Sequence, residues 1–265
     1  MPNNLASMVV LGAILSWPAT LGAQWLDYPT PGIPRAPDGT PNLAAPAPRT
    51  AAGIPDLSGV WYQPDGPPFA PPPFGVRYAL NLAADLEPHE VSMTLAATER
   101  FRERLATGGA DAPTGVCQLP GVPLITTAPL PHKIVQTPGL TVILYEAMNT
   151  FRQIFTDGRP LPEEPEPAWM GYSVGGWDGD TFVVETAGFN DETWLDLLGH
   201  PHTEMLHVTE RFQRRNVGNI DYQVTIDDPG AYTRPWTVSF GFRLLPDSDL
   251  LEFNCNENNR WSPAP

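Results

Sequence analysis

The sequence predicts a mainly β fold, in which an antiparallel meander closes into a barrel after one inserted helix and a proline-rich N-terminal arm. Three patterns lead to this prediction. From Lys133 onwards, short apolar segments alternate with a period of two and are separated by turn dipeptides such as Asp178-Gly179. Only residues 88–106 repeat convincingly with the helical period. Proline accounts for 33 of the 265 residues and is concentrated before residue 74.

Composition excludes several classes of protein. The net charge is −15, so the chain lacks the basic surface that binds nucleic acid. With two cysteines and five histidines, a zinc-finger array or a cysteine-ligated cluster is excluded. Neither a phosphate loop nor a nucleotide fingerprint is present, so we expect no organic cofactor.

Residues 1–23 are typical of a signal peptide. The apolar run Leu5–Leu21 is interrupted and too short for a membrane span, which needs about 20 apolar residues, and it ends in small residues that suit cleavage. We therefore expect a periplasmic or secreted protein without a membrane span, and a retained amphipathic anchor is the alternative. An oxidising compartment favours a disulfide between Cys117 and Cys255, although two buried free thiols are the alternative.

The arm and the helix precede the meander. Residues 24–53 are predicted as an extended arm, either laid over the domain or loose, and residues 54–265 as a single barrel domain whose first strand lies within 54–62. The predicted helix, at about 88–106, ends at Gly108-Gly109. Its expected buried face consists of Val91, Thr94, Leu95, Thr98, Phe101 and Leu105.

Nine further strands are predicted after the helix, at about 133–137, 140–146, 150–156, 171–177, 181–186, 202–211, 220–226, 236–244 and 250–255. Several have one apolar and one polar face, as expected for strands that pack one face on the core and expose the other to solvent. The apolar faces are Leu140, Val142, Leu144 and Glu146; Leu206, Val208, Glu210 and Phe212; and Trp236, Val238, Phe240, Phe242 and Leu244.

Gly59-Val60-Trp61 on the first strand, followed by a long meander, resembles the calycin (lipocalin-like) barrels. The resemblance implies that Trp61 plugs one end of the barrel and that an arginine from a late strand, here Arg243, stacks on it. A wider resemblance, to an exported bacterial family of environmental Gram-negative species, rests on four runs. They are Pro55-Asp-Leu-Ser-Gly-Val-Trp61, Phe151-Arg-Gln-Ile-Phe-Thr-Asp-Gly-Arg159, residues 171–184 and His207-Val-Thr-Glu-Arg-Phe212. That family implies a periplasmic barrel and provides no catalytic residues to transfer.

The densest group of chemically active residues is Gly199–His207. On a strand, His200, His202 and Glu204 would share one face and converge at a barrel mouth. Two imidazoles and a carboxylate are a common set of divalent-metal ligands. The alternatives are metal-free acid/base or ligand contacts, and a polar turn of structural importance only.

Other candidates surround this group. Asp196, in the preceding loop, could orient His200 or His202, and Trp194 could stack on a ligand. Glu146 and Glu210 are in phase with apolar neighbours, so each is either a structural ion pair, with Arg152 or Arg211, or a proton-transfer group. Arg152 could instead hold a substrate oxyanion. Tyr145 is a possible hydroxyl donor.

These residues support two main hypotheses about function. The first is an exported enzyme that acts on a small molecule by acid/base chemistry, as a hydrolase, lyase or isomerase, in a pocket where His202, Glu204, Arg152 and Trp194 meet. The second is a periplasmic lipocalin-like protein that binds or carries a small molecule. A surface interaction module that uses the arm is a third option. The sequence does not indicate an oligomeric state.

Overall fold

The computed structural model describes residues 28–64 and 76–255, which form a closed nine-stranded barrel. The predicted signal peptide lies outside these residues. The strands are β1 (Gly59–Tyr62), β2 (His132–Thr137), β3 (Leu140–Tyr145), β4 (Thr150–Phe155), β5 (Tyr172–Asp178), β6 (Thr181–Ala187), β7 (His207–Asn216), β8 (Asn219–Asp227) and β9 (Trp236–Leu244). The helices are α1 (Arg77–Leu80), α2 (Leu95–Thr107) and α3 (Leu124–Thr127), with short 3-10 turns at Pro113–Val116 and Ala147–Asn149.

The strands follow one another around the barrel in chain order, and β9 pairs with β1 to close it. The predicted meander is therefore confirmed, with one difference. β4 and β5 are parallel and are paired only through Ile154–Phe155 and Ser173–Val174. The segment between them, residues 156–171, returns the chain to the same end of the sheet, as a parallel pair requires.

Two strand predictions were wrong in position. β7 begins at His207 rather than at residue 202, because the preceding residues form a turn. That turn is held by Asp228, whose carboxylate accepts hydrogen bonds from the Thr203 backbone N–H at 2.6 Å and from the Thr203 hydroxyl at 2.8 Å. Residues 250–255 form no strand. The backbone N–H groups of Leu251 and Phe253 instead donate to the side chains of Glu146 and Asn149, which follow β3.

The inward faces of β7 and β9 are as predicted, but that of β3 is reversed. Thr141, Ile143 and Tyr145 point into the barrel, whereas Leu144 is exposed and lies opposite the exposed Phe151 of β4. Every position of β3 except Thr141 carries an apolar or aromatic side chain, so its alternation could not define the buried face.

Helix α2 is shorter than predicted, and its predicted face is only partly buried, because Leu95 and Leu105 are exposed. The Thr94 hydroxyl caps its N-terminus, and Gly108, in the left-handed conformation, ends it as predicted. The residues it buries are Ala97 and Arg104, whereas Leu95 is 86% exposed. The Arg104 guanidinium lies 4.6 Å from the ring centroid of Trp194. A Cβ at Gly199 would lie 2.8 Å from that of Arg104, so this close approach requires glycine at 199.

The described part of the arm lies on the barrel and contains two copies of one hairpin. The copies share the pattern Pro-Arg-x-x-x-Gly-x-Pro-Asn/Asp-Leu, at residues 34–43 and 48–57. In each copy the arginine Nη1 donates to the glycine carbonyl, Arg35 to Gly39 at 2.9 Å and Arg49 to Gly53 at 2.7 Å. The same two arginines form ion pairs with Asp247 and Asp180, which attaches both hairpins to loops of the barrel.

Trp61 of β1 is fully buried. The arginine stacked on it is Arg214 of β7, 4.8 Å from the ring centroid, and not Arg243, which is exposed on the outer face of β9. The expectation for Arg243 was therefore wrong. A residue facing outward on β9 cannot reach the inside of the barrel.

The predicted disulfide between Cys117 and Cys255 is present. It links the segment after β9 to the loop between α2 and α3. None of the helices in the described ranges has the length and apolar character needed to cross a membrane.

Candidate functional site

The candidate site is at the end of the barrel where β7 begins, in the loop between β6 and β7. Its centre is the Asp196 carboxylate, which is fully buried. Asp196 accepts backbone N–H bonds from Leu82, Gly199 and His200 at 2.8, 3.0 and 3.1 Å. It also accepts a bond from Nδ1 of His200 at 2.6 Å. These four bonds hold the carboxylate and the imidazole in a fixed relation.

The His200 ring is held between aromatic side chains. It stacks on Phe101 of α2 with centroids 4.5 Å apart and lies 6.2 Å from the ring of Trp236. Because Nδ1–H donates to Asp196, Nε2 carries the lone pair of the neutral ring. Within residues 28–64 and 76–255, Nε2 makes no hydrogen bond, and the side chain is 6% exposed. Nε2 is therefore left without a hydrogen-bond partner among these residues, and His200 is next to, but does not itself line, the cavity at His202.

His202 has both ring nitrogens occupied. Nδ1 lies 3.1 Å from the Thr203 carbonyl oxygen, which can only accept, so Nδ1 carries the proton. Nε2 therefore accepts the hydroxyl of Thr193 at 2.5 Å. Burial lowers the pKa of His202, and the bond to Thr203 opposes this shift only in part. The imidazole is thus neutral at pH 7 and ties the loop at Thr193 to the start of β7.

A cavity of about 160 Å³ lies beside His202. Ala97 of α2, Ala231 and Gly230 give it a small apolar wall, and Arg100 and Asp191 bring charged groups to it. This volume is below the usual range for drug-sized ligands, so the cavity suits a small molecule or one part of a larger molecule.

The predicted convergence of His200, His202 and Glu204 does not occur. Glu204 is exposed, because it lies in the turn before β7 and not on a strand. No group of three or more histidine, cysteine or carboxylate side chains in the described part of the chain is arranged to hold a metal ion. Trp194 is also differently placed, since it is buried beneath Arg104 and does not cover an open pocket.

Arg152 and Glu210 form a separate group inside the barrel. Nη2 of Arg152 lies 2.6 Å from Oε2 of Glu210, and both side chains are at most 2% exposed. The guanidinium also donates to the hydroxyls of Ser173 and Thr186, at 2.9 and 2.6 Å. The hydroxyl of Tyr222 donates to Oε1 of Glu210 at 2.9 Å. Of the two alternatives for Glu210, this geometry fits the structural ion pair.

Electrostatics in this interior group keep Arg152 charged. Burial lowers the pKa of the guanidinium, but the neighbouring Glu210 carboxylate more than offsets this, and the net pKa is raised. Burial also raises the pKa of the Tyr222 and Tyr145 hydroxyls. The space beside this group, among Leu57, Ile143 and Phe212, is too small for a water molecule.

The two remaining predicted ligand contacts lie apart from His200. Tyr145 points into the barrel, where its hydroxyl is 3.3 Å from that of Thr126. Glu146 follows β3 at the surface, half-buried, and accepts the backbone N–H of Leu251 at 3.1 Å. Burial raises the pKa of Glu146. The expectation that Glu146 faces inward was wrong, because it lies beyond the end of the strand.

Three residues of the site were not identified from sequence. Thr193, Asp228 and Tyr232 are buried and hold the loops through polar bonds, with the Tyr232 hydroxyl donating to the Pro201 carbonyl at 2.8 Å. Threonine and tyrosine are common in loops and strands, so their identity alone carried no signal. The bonds of Asp228 to Thr203 and of Tyr232 to Pro201 join the β8–β9 loop to the β6–β7 loop, and these loops are distant in sequence.

Comparison of the chain with protein-family models, curated proteins and solved structures finds no match. The resemblance to the calycins and to an exported bacterial family therefore stays a prediction. The function has to be argued from the geometry of the site.

Proposed function

We propose that the protein is an exported enzyme that acts on a small molecule by acid/base chemistry, with His200 as the base. The observation that carries this proposal is the Asp196–His200 pair, in which a buried carboxylate fixes the imidazole and leaves Nε2 without a partner. Asp196 is a positioning residue, because its hydrogen bonds within the described ranges go to His200 and to backbone N–H groups.

The proposed mechanism is a proton transfer at Nε2. When Nε2 takes a proton from a substrate or from a water molecule beside it, the ring becomes an imidazolium. The Asp196 carboxylate, 2.6 Å from Nδ1, stabilises that charge. The same ring can return the proton to a leaving group or to another substrate atom. Hydrolysis, elimination and isomerisation all use such a step.

His202 supports this site in a different way. Its two hydrogen bonds hold the loop of Thr193 against the turn at Thr203, next to the cavity. In this proposal it shapes the pocket and does not exchange protons with the substrate. Changing His202 to alanine is therefore expected to lower stability as well as turnover.

Export is the second part of the proposal. It is supported by the signal-like residues 1–23 and by the Cys117–Cys255 disulfide, which is typical of oxidising compartments. A carrier that holds its ligand inside the barrel, the alternative function, is less well supported. The interior is filled by side chains such as Tyr222, Phe212 and Phe242.

Diethyl pyrocarbonate, which acylates unprotonated imidazole nitrogens, tests whether Nε2 of His200 is available. We expect modification at His200 by mass spectrometry, with the exposed His89 as an internal reference. Asp196→Asn should slow the reaction of His200 about tenfold or more, because the carboxylate that fixes the tautomer of the ring is lost. A His200 that stays unmodified while His89 reacts completely would contradict the proposal.

Turnover is tested with 4-nitrophenyl acetate as a model ester. The wild-type protein is expected to accelerate release of 4-nitrophenol, and His200→Gln should remove the acceleration while circular dichroism shows that the variant is folded. Acceleration that persists in His200→Gln would assign the reaction to another group.

A further inference from the structure

A second, larger concave site is formed where the arm meets the barrel. It has a volume of about 510 Å³, within the usual range for small-molecule sites. Residues 28–33 of the arm form one wall, and β1, β2 and the chain after β9 form the other. The predicted site residues do not line it.

The walls of this groove are largely apolar. Ile33 and Pro48 come from the arm, and Val135, Val217 and Leu245 from the barrel side. The arm wall is held in place by the Arg35 hairpin, whose ion pair with Asp247 and bond to Gly39 were described above. The groove is therefore built from ordered elements on both sides.

The groove also contains a buried positive charge. Arg214 is 7% exposed, and each of its three nitrogens donates to backbone carbonyls, those of Asp56, Ser58, Asn216 and Val217. Among the described residues, no carboxylate lies within ion-pair distance of Arg214. The Asp56 side chain is near it but accepts the backbone N–H of Ser58. A buried cation without a paired anion is unfavourable, so a bound anion would be stabilised here.

The single lysine of the chain places a second, more accessible positive charge in the groove. Lys133 lines the same groove, and its Nζ is 3.4 Å from Asp249, in a pair whose side chains are 39% and 59% exposed. Such a loose, exposed pair is weak and can be exchanged for another carboxylate.

We infer that this groove binds a small amphipathic carboxylate, such as a medium-chain fatty acid, with its head group at Lys133 and its chain along Ile33, Val135 and Val217. The field of Arg214 adds to the attraction, while the apolar walls bury the chain. The groove is also lined by Asp56 and Asp249, so the head group of the ligand binds Lys133 by replacing Asp249 in the exposed ion pair.

This inference is independent of the proposed enzyme function. Arg214 lies seven residues along β7 from His207, which is roughly 23 Å at the usual rise per residue. The groove and the His200 site are therefore at opposite ends of that strand, and either can fail without the other.

Fluorescence titration with dansyl-undecanoic acid tests the groove on the full mature protein. We expect saturable binding that decanoate displaces and decanol displaces at least about tenfold less well, because decanol lacks the charge. Lys133→Met should weaken binding about tenfold, and Val135→Trp, which fills the groove, should remove it.

Two matched variants serve as controls. Arg243→Met removes an exposed cation, and Leu95→Trp enlarges a residue of α2 that is 86% exposed, both outside the groove. Each should bind as the wild type does, and circular dichroism should show all four variants folded. The inference is overturned if no saturable binding is seen, if decanol competes as well as decanoate, or if Lys133→Met binds unchanged.

Discussion

At the scale of single residues, His132 shows how burial sets the charge of a side chain. It is 2% exposed, between the rings of Tyr145 and Phe242, and its Nε2 has no partner in the described part of the chain. Burial lowers the pKa of His132 from 6.5 to about 3. The neutral ring is therefore the folded form over the whole physiological range.

The stability of the protein should depend on pH through this residue. Between about pH 6.5 and about pH 3, the unfolded chain binds a proton at His132 that the folded chain does not bind. Stability therefore falls as the pH falls through this window, by up to about 1.4 kcal/mol per pH unit for this one group. Burial lowers the pKa of His202 as well, so it contributes with the same sign.

His132→Phe separates this contribution from the others. The variant keeps an aromatic ring and loses the unpartnered nitrogen, so at pH 7 its free energy of unfolding should differ from wild type by less than about 1.5 kcal/mol. Between pH 6 and 4 its stability should fall less steeply than that of the wild type. Urea titrations at several pH values measure both. Parallel slopes for the two proteins would contradict the expected role of His132.

Single residues also show the limit of sequence analysis. The association of Asp196 with a histidine was predictable, because both lie in one short stretch of the chain. The position of Glu204 was not predictable from sequence. Alternate residues share a face only on a strand, and Asp228 holds this stretch of the chain as a turn. Asp228 is distant in sequence, so no local pattern indicated it.

At the scale of elements, the barrel has two narrow contacts between neighbouring strands, that of β1 with β9 and the parallel contact of β4 with β5. Only two residue pairs join the strands in each contact. Arg152 of β4 compensates, since its side chain bonds to Ser173 of β5, Thr186 of β6 and Glu210 of β7. The interior ion pair therefore connects four successive strands across the short parallel contact.

Glu210→Gln should destabilise the barrel by about 3–5 kcal/mol, because it leaves the buried Arg152 charge without a carboxylate. Urea denaturation measures the change. Arg211→Met is the matched control, since Arg211 is the neighbouring residue and its pair with Asp178 is exposed. That variant should lose less than about 1 kcal/mol. Equal losses in the two variants would show that burial of the pair has no special importance.

Elements differ in how well their pattern predicted them. Strands β7 and β9 have one polar face, and their buried faces were predicted correctly. Strand β3 is apolar on both faces, so its buried face was decided by Arg152 and Ile154 on the adjacent strand. Helix α2 was misread because Arg104, charged yet buried, takes the place expected for a leucine. Stacking on Trp194 explains that burial, and it depends on a loop about 90 residues away (194 − 104).

At the scale of the whole molecule, the disulfide and the arm connect distant parts of the chain to the barrel. Cys117 and Cys255 are separated by 138 positions. The bond holds the segment after β9, which contacts the rest of the protein through the backbone N–H groups of Leu251 and Phe253.

Replacing both cysteines with serine should lower the free energy of unfolding by about 2–5 kcal/mol, since chain-entropy arguments give about 5 kcal/mol for a loop of this length. Thermal unfolding with and without reductant measures the effect. Reductant should lower the melting temperature of the wild type and leave that of the Cys117→Ser, Cys255→Ser variant unchanged. A wild-type protein that is insensitive to full reduction would contradict this expectation.

The sequence by itself determined the strand order and the single long helix, favoured the disulfide over two free thiols, and indicated that Asp196 lies close to a histidine. These depend on alternation, turn dipeptides, cysteine number and short separations, all of which are local or nearly so. Tertiary structure alone decided that Arg214 stacks on Trp61, that β4 and β5 run parallel, and that Arg152 and Glu210 meet inside the barrel, apart from His200. Closure of a barrel brings residues together according to strand register, and register is a property of paired strands that no single segment contains.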